Sequence, residues 1–245
     1  MNWITGTAES VAAQVAKLIA ERLSTAVRER GRAALGLPGG RSVARVGEAL
    51  LEEELPWQNV DMFFVDERCV DPDSPDSNYR TLRDDFFEAL VDTGRIPRSN
   101  IHRPQDEADA HCSPRRYTQR LLGVSREGRA GAASPGEKPS PHFDLVLLGV
   151  GEDGHVASLF PDHPSMQAGG REFILVENAP KAPPQRISAS RALLEDADTA
   201  ILLFLGEGKR EALRRFRAEH PPSVESFPCR LAEAIDDAWA ATDLA

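Results

Sequence analysis

The feature that most constrains this 245-residue chain is a short apolar run that ends in a glycine-rich turn. Residues 145–150 are Leu-Val-Leu-Leu-Gly-Val, which is typical of a strand buried on both faces of a parallel sheet. The next five residues, 151–155, are Gly-Glu-Asp-Gly-His, and their glycines allow the backbone to turn tightly and approach a ligand. The sequence therefore predicts an α/β protein with a functional turn at the end of this strand.

Asp153 and His155 are the candidate reacting groups of this turn. Open α/β sheets bind their ligands outside the carboxyl ends of the strands, where the turn begins. Histidine titrates near neutral pH, the range in which a general base must work. A packed core histidine is the alternative interpretation. A histidine among glycines at such a crevice does not have core surroundings, and we therefore expect His155 to be functional.

Apolar runs and helical spacings alternate along the rest of the chain. Runs of four to seven apolar residues predict strands, and apolar residues spaced three and four apart predict helices. The predicted strands cover residues 33–37, 60–65, 145–150, 173–176 and 199–205, and the predicted helices lie around 11–23, 43–51, 79–90, 108–122 and 229–241. Thr7 is the expected cap of the first helix, and Gly31 is expected to end it. This order predicts one α/β domain over residues 1–245, with a Rossmann-like, mostly parallel sheet and helices on both faces.

Residues 123–141 interrupt that alternation. They are rich in Gly, Ser, Pro, Ala and charged residues, and Val124 is the one large apolar residue among them. Such a segment buries too little surface to offset its ordering entropy. The composition predicts a mobile surface loop of the same domain.

Two glycine-containing turns are candidate phosphate sites. Gly39, Gly40 and Ser42 stand between a predicted strand and a predicted helix, a layout that directs backbone N–H groups at an anion. An ordinary tight turn is the alternative, because the stretch matches neither Gly-x-x-x-x-Gly-Lys nor Gly-x-Gly-x-x-Gly. Lys209 follows Gly-Glu-Gly at the head of another helix, where a cation opposes the helix dipole. A phosphate partner would explain it, and a tolerated surface lysine is the alternative.

Charged residues also follow other predicted strands. Asp-Glu-Arg at 66–68 ends one apolar run, and a proline-rich turn places Arg186 at the start of another strand. A solvated strand end is the alternative interpretation of Asp66 and Arg68. Several cations, a glycine turn and one histidine together predict a site for a small anion, such as a phosphate ester, beside an acid–base group.

Composition narrows the partners and the location. The net charge of −10 argues against nucleic acid and anionic membranes as partners. Cys69, Cys112 and Cys229 are odd in number and widely spaced, so we expect neither a disulfide framework nor a zinc motif, and a reducing compartment. With no signal-peptide pattern and no long apolar segment, the sequence predicts a cytoplasmic protein.

Other catalytic chemistries fit the sequence less well. Ser158 lacks a Gly-x-Ser-x-Gly elbow, and it lies too close in sequence to Asp153 and His155 to form a triad with them, so we expect it to cap or pack. His155 has no second histidine at helical spacing. We therefore expect no metal.

Four motifs carry a family resemblance. Residues 149–161, the Asp-Glu-Arg at 66–68 with the following Ser-Asn at 77–78, residues 180–188 and the Gly-Glu-Gly-Lys at 206–209 resemble the signatures of the 6-phosphogluconolactonases, in the family's order. The resemblance implies a fold of the glucosamine-6-phosphate deaminase/ribose-5-phosphate isomerase type. It also implies hydrolysis of 6-phospho-D-glucono-1,5-lactone to 6-phosphogluconate in the pentose phosphate pathway, without a cofactor.

The resemblance also implies roles for individual residues. His155 would activate water, Asp153 or Asp66 would orient its imidazole, and Arg68 with backbone N–H groups would hold the oxyanion. The residues expected to bind the 6-phosphate are Gly39, Gly40, Ser42, Arg186 and Lys209. The expected partner is a small phosphorylated sugar lactone, bound by a monomer or small homo-oligomer.

Departures from related patterns keep alternatives open. The family's first glycine loop usually begins with serine, whereas Pro38 stands here, and Arg41 either adds a cation or points to solvent. The related deaminases follow the histidine with a motif that contains a glutamate, and residues 156–161 contain none. A deaminase- or isomerase-like enzyme is therefore the second hypothesis, and a non-catalytic sugar-phosphate sensor is the third.

Overall fold

Ten strands form two sheets in a computed structural model that describes residues 1–104, 112–129 and 139–244. The strands are β1 (Asn2–Thr5), β2 (Ala33–Leu37), β3 (Val60–Phe64), β4 (Asp66–Arg68), β5 (Ile101–His102), β6 (Leu145–Gly149), β7 (Phe173–Val176), β8 (Arg186–Ala189), β9 (Thr199–Phe204) and β10 (Asp237–Thr242). Within these residues a seven-stranded parallel sheet has the order β1-β10-β9-β6-β2-β3-β5. A small antiparallel sheet has the order β4-β8-β7.

Helices connect the strands of the large sheet. They are α1 (Ala8–Arg30), α2 (Arg41–Leu51), α3 (Asn78–Leu82), α4 (Glu88–Asp92), α5 (Pro114–Arg129), α6 (Arg191–Glu195) and α7 (Arg210–Phe216). A π-helical turn, Arg83–Phe87, joins α3 to α4. Helix α1 has the predicted ends, because Thr7 caps its first turn and Gly31 ends it with φ of 82°. Among the described residues, no helix is long and apolar enough to cross a membrane.

The two faces of the large sheet bury different side chains. Along β6, Leu145 and Leu147 pack with residues of α1 and α2, whereas Val146 and Leu148 pack with residues of α5, α6 and α7. Alternation of this kind requires a strand that is covered on both sides. The predicted α/β fold, with helices on both faces of a mostly parallel sheet, is confirmed.

The C-terminal segment differs from the prediction. The helix expected over 229–241 is wrong: Pro228–Ala234 is 3₁₀-helical and β10 follows it. Strand β10 lies between β1 and β9, and its backbone is paired on both sides. Pairing within the sheet overrides the helical preference of its alanines. Strand β1, which was not predicted from the sequence, is the edge strand of the large sheet next to β10.

The expected loop at 123–141 is shorter than predicted. Helix α5 continues to Arg129, so the prediction of a mobile loop is wrong for residues 123–129. Ser125 is buried in this turn of helix, and its Oγ donates to the Leu121 carbonyl at 2.8 Å and accepts the His142 N–H at 3.0 Å. Residues 130–138 lie outside the described part of the chain. So do residues 105–111, where the preceding helix was expected to begin.

The cysteines also differ from the expectation. Cys69 directly follows β4, Cys112 lies just before α5, and the two form a disulfide with Cα atoms 5.7 Å apart. The expectation of no disulfide is therefore wrong, because a separation of 43 residues does not show which segments the fold brings together. Cys229 is a buried free thiol, and burial raises its pKa. The inference of a reducing compartment, which depended on unpaired cysteines, loses its support.

Candidate active site

A cleft of about 600 Å³ opens at the carboxyl ends of the adjacent strands β2, β6 and β9. This is the edge at which parallel α/β sheets bind ligands. Its polar and glycine lining includes Gly39, Gly40, Ser42, Arg45, Gly149, Gly151, Glu152, His155, Lys181, Gly206, Glu207, Gly208, Lys209 and Asp243. The sequence motifs after three separate strands therefore meet in one place.

The glycine turn after β2 forms one wall of the cleft. A Cβ on Gly39 would overlap the side-chain amide of Asn78, so this position requires glycine. Gly40 has φ of 103° and begins α2 without a side-chain cap. The start of α2 therefore has no side-chain cap, and anion binding by its first N–H groups stays a prediction. Ser42, in the first turn, lines the same wall.

The turn after β9 forms the opposite wall. The 3₁₀ turn Glu207–Lys209 brings Lys209 to the cleft, and the Gly206 N–H donates to Asp243 Oδ1 at 2.8 Å. Arg45 of α2 adds a second cation to the lining, and three carboxylates line it as well. The sequence analysis predicted Lys209 but missed Arg45, because an arginine within a helix carries no motif.

Asp153 and His155 are hydrogen-bonded to each other in the turn after β6. His155 Nδ1 lies 2.5 Å from Asp153 Oδ1. A Cβ on Gly151 would overlap the imidazole, which explains the glycine at this position. Because an ionised carboxylate only accepts hydrogen bonds, Nδ1 carries the proton and Nε2 is left as the basic nitrogen. The predicted pair thus has the geometry of an oriented general base.

Lys181 is a third member of this group, and the sequence analysis missed it. Its Nζ lies 3.2 Å from Asp153 Oδ2 and 3.3 Å from His155 Nδ1. Burial raises the pKa of Asp153, but the hydrogen bond from His155 and the nearby ammonium outweigh burial and hold that pKa well below its usual range. The signal was present in the Pro-Lys-Ala-Pro-Pro-Gln-Arg motif, which we interpreted for its arginine alone.

Asp66 is buried and is not among the described residues that line the cleft. Its side chain is buried and accepts the Ser158 hydroxyl at 2.6 Å. The Asn78 amide donates to its backbone carbonyl at 2.8 Å. In the part of the chain that the structure describes, Asp153 rather than Asp66 is the hydrogen-bond partner of His155. Ser158 has the packing role that we expected for it, as the partner of a buried carboxylate.

Arg68 and Arg186 are neighbours on the small sheet, where β4 pairs with β8. Arg186 is buried, and its guanidinium donates to the carbonyls of Lys181, Ala182 and Pro183 at 2.9–3.2 Å. Burial lowers the pKa of Arg186, and the adjacent Arg68 lowers it further. Arg68 donates to the Asp76 carbonyl at 2.5 Å. Neither arginine is among the described residues that line the cleft.

The chain matches the family of glucosamine-6-phosphate isomerases and 6-phosphogluconolactonases over residues 6–240. It belongs to this family. It is 35% identical over 214 residues to a 6-phosphogluconolactonase of Synechocystis, covering 86% of this chain and 82% of that protein. The predicted family resemblance is confirmed.

Solved structures show the same fold at lower identity. The 6-phosphogluconolactonase from Trypanosoma cruzi superposes with a TM-score of 0.76 at 24% identity, covering 99% of this chain and 94% of the other. A monomeric glucosamine-6-phosphate deaminase superposes with a TM-score of 0.75 at 20% identity, covering 100% and 98%. Both branches of the family thus share this architecture.

Glu67 is a buried residue for which no role was predicted from the sequence. Its carboxylate accepts the backbone N–H groups of Arg68, Asn78 and Tyr79 at 2.7–2.8 Å and the Ser77 hydroxyl at 3.1 Å. Burial raises its pKa, and these backbone N–H groups oppose the rise. Glu67 therefore fixes the start of α3, and with it the Asn78 side chain that packs on the glycine turn.

A cluster of one histidine and two aspartates lies away from the cleft. His142, Asp144 and Asp198 bring one ligand atom each within 4.8 Å of the others. Arg30 forms ion pairs with both aspartates, at 3.2 Å in the case of Asp198. A cation from the chain itself already neutralises this cluster, and we assign it to structure.

Proposed function

We propose that the protein hydrolyses 6-phospho-D-glucono-1,5-lactone to 6-phosphogluconate. One observation carries the proposal: His155, hydrogen-bonded to Asp153, lines the same cleft as the Gly39–Gly40 turn and Lys209. An acid–base group at one end and an anion site at the other suit a sugar ring with a distal phosphate. The relatives that bear the name 6-phosphogluconolactonase support the same assignment.

The reaction follows from the orientation of the imidazole. A lactone is an activated acyl group, so water can attack C1 without a covalent enzyme intermediate. His155 Nε2 takes a proton from that water, and Asp153 stabilises the imidazolium that forms. The tetrahedral intermediate then collapses, the bond between C1 and the ring oxygen breaks, and the imidazolium returns its proton to that oxygen. The products are a free hydroxyl and a carboxylic acid on one chain, and the acid releases its proton to solvent to become a carboxylate.

The phosphate is assigned to the cleft walls that hold its candidate ligands. Gly39, Gly40 and Ser42 offer the start of α2, and Lys209 offers an ammonium across the cleft. The expected roles of Arg186 at the phosphate and Arg68 at the oxyanion stay predictions; both side chains donate to backbone carbonyls, and neither is among the described residues that line the cleft. A cytoplasmic location and a monomer or small homo-oligomer also remain proposals.

Substitution of His155 tests the assignment. His155→Ala should lower kcat by roughly 10²–10⁴, the usual contribution of a positioned general base, with little change in KM. Lactone hydrolysis should be measured at slightly acidic pH, where we expect the uncatalysed background to be slow. His220→Ala is the matched control, because His220 is exposed and lies outside the cleft lining.

The same assay separates the alternatives. A variant with near-normal kcat would remove His155 from the mechanism. Release of ammonia from glucosamine 6-phosphate without lactone hydrolysis would assign the protein to the deaminase branch. Binding of sugar phosphates without turnover of either substrate would identify a sensor.

A further inference from the structure

We propose that Lys181 is a positioning residue that shares the Asp153 carboxylate with His155 and thereby keeps the imidazole neutral at working pH. The inference rests on the proposed function, since a neutral imidazole is what a general base requires. It adds to that function the residue that sets the lower pH limit of activity.

The geometry places two donors on one carboxylate. His155 Nδ1 approaches Asp153 Oδ1 at 2.5 Å, and Lys181 Nζ approaches Oδ2 at 3.2 Å. The ammonium and the imidazole N–H cannot hydrogen-bond each other, because both only donate. Their separation of 3.3 Å is therefore a consequence of the shared acceptor. When His155 takes up a second proton, its positive charge lies beside that of Lys181.

Lys181 is held in place by the protein interior, although half of its side chain is exposed. The buried Arg186 donates to the Lys181 carbonyl at 2.9 Å and to the next two carbonyls. The guanidinium carbon lies 5.4 Å from the centre of the Phe160 ring, which in turn packs 4.9 Å from the imidazole. The buried Arg186 side chain thus fixes the backbone of Lys181 relative to the His155 imidazole, which Lys181 affects.

The sign of the effect follows from the charges around His155. Asp153 favours the imidazolium, and Lys181 disfavours it because like charges repel. The other charged groups on the cleft walls come from the β6 turn, from α2 and from the segments after β9 and β10; they are Glu152, Arg45, Glu207, Lys209 and Asp243. Removing the Lys181 charge leaves Asp153 without its second partner, so the pKa of His155 should rise.

The pH profile of Lys181→Met tests the proposal. The acidic limb of kcat/KM should move up by about 0.5–1 pH unit, the size expected for one charge at this distance when it is screened as in bulk water. At pH values below both midpoints, kcat/KM should therefore fall by about 3–10-fold. Lys181→Arg retains the charge and should keep the parental midpoint. Lys17→Met, on the exposed face of α1, controls for the change in net charge.

An NMR titration of the His155 imidazole in the free protein separates this inference from the proposed function. The resonance is assigned by its loss in His155→Gln, and its midpoint should rise in Lys181→Met by the same 0.5–1 unit. An unmoved midpoint would overturn the role of Lys181, even if the variant had lost activity uniformly across pH. A raised midpoint in a protein without lactonase activity would support Lys181 and refute the lactonase assignment instead.

Discussion

Two groups of polar residues follow buried strands in this chain, and the fold uses them differently. The glycine turn after β2 and Lys209 after β9 lie on the large sheet and face the cleft. The Asp-Glu-Arg run and Arg186 lie on the small sheet, where their polar atoms bond to neighbouring segments. From sequence alone, both groups were candidates for direct contact with a ligand.

The cause of the difference is the direction that the chain takes after each strand. After β2 the chain turns directly into α2, so the turn stays at the open edge of the sheet. After β3 the chain passes through Val65 and pairs as β4 with β8, so Asp66 lies opposite Ser188. Buried polar groups are normally hydrogen-bonded, and each of the four residues on the small sheet makes at least one such bond. Charged residues at the end of a strand therefore either line a ligand site or hold neighbouring segments together. Which of the two they do depends on whether the chain after that strand pairs with another strand.

The largest expected effect is a loss of stability when a buried residue of the small sheet is replaced. Glu67→Ala would leave three backbone N–H groups and the Ser77 hydroxyl without their buried acceptor. We expect the free energy of unfolding, measured by urea denaturation, to fall by about 3 kcal/mol or more. Glu54→Ala, at an exposed position before β3, is the matched control and should change it little. A loss below about 1 kcal/mol would contradict the scaffold role.

The sequence predicted the residues that line the cleft better than the residues of the small sheet, for a physical reason. Gly40 is required by its own backbone conformation, and a local requirement of this kind leaves a signature in the sequence. The roles of Glu67 and Arg186 depend on which distant segments pair with β4 and β8, which spacing along the chain does not contain.

The same limit explains the errors in the fold. The alanines of β10 favour a helix locally and form a strand only because β1 and β9 lie on either side. The pairing of Cys69 with Cys112 likewise depends on segments that are distant in sequence. In contrast, α1 was predicted to its caps because Thr7 and Gly31 act through their own neighbours.

Substitutions with an intermediate effect on kcat/KM should distinguish the cleft residues from the small-sheet residues by the substrate that is affected. Lys209→Met removes a cation from the cleft, and a hydrogen bond to a charged group contributes about 1.5–3 kcal/mol, so kcat/KM for the phosphorylated lactone should fall roughly 10–150-fold. Unphosphorylated glucono-lactone should be hydrolysed as before, because it lacks the phosphate that we assign to Lys209.

Arg186→Met is the comparison variant for Lys209→Met. It removes the donors to the carbonyls of residues 181–183, so a purely structural role of Arg186 predicts that kcat/KM falls for both lactones by a similar factor. A selective loss of the phosphorylated substrate in Arg186→Met would instead show that this arginine turns toward the phosphate. An equal loss of both substrates in Lys209→Met would place the phosphate elsewhere.

The smallest effect should come from Ser42, because the anion site that we propose at the start of α2 consists of backbone groups. Ser42→Ala removes one neutral hydroxyl, and such a hydrogen bond contributes about 0.5–1.5 kcal/mol, so kcat/KM for the phosphorylated lactone should fall only about 2–10-fold. The N–H groups that follow Gly40 remain in the variant, and so does the favourable end of the helix dipole. Ser226→Ala, on an exposed turn, is the control. A loss as large as that of Lys209→Met would mean that the Ser42 side chain, rather than the backbone, is the principal ligand on this wall.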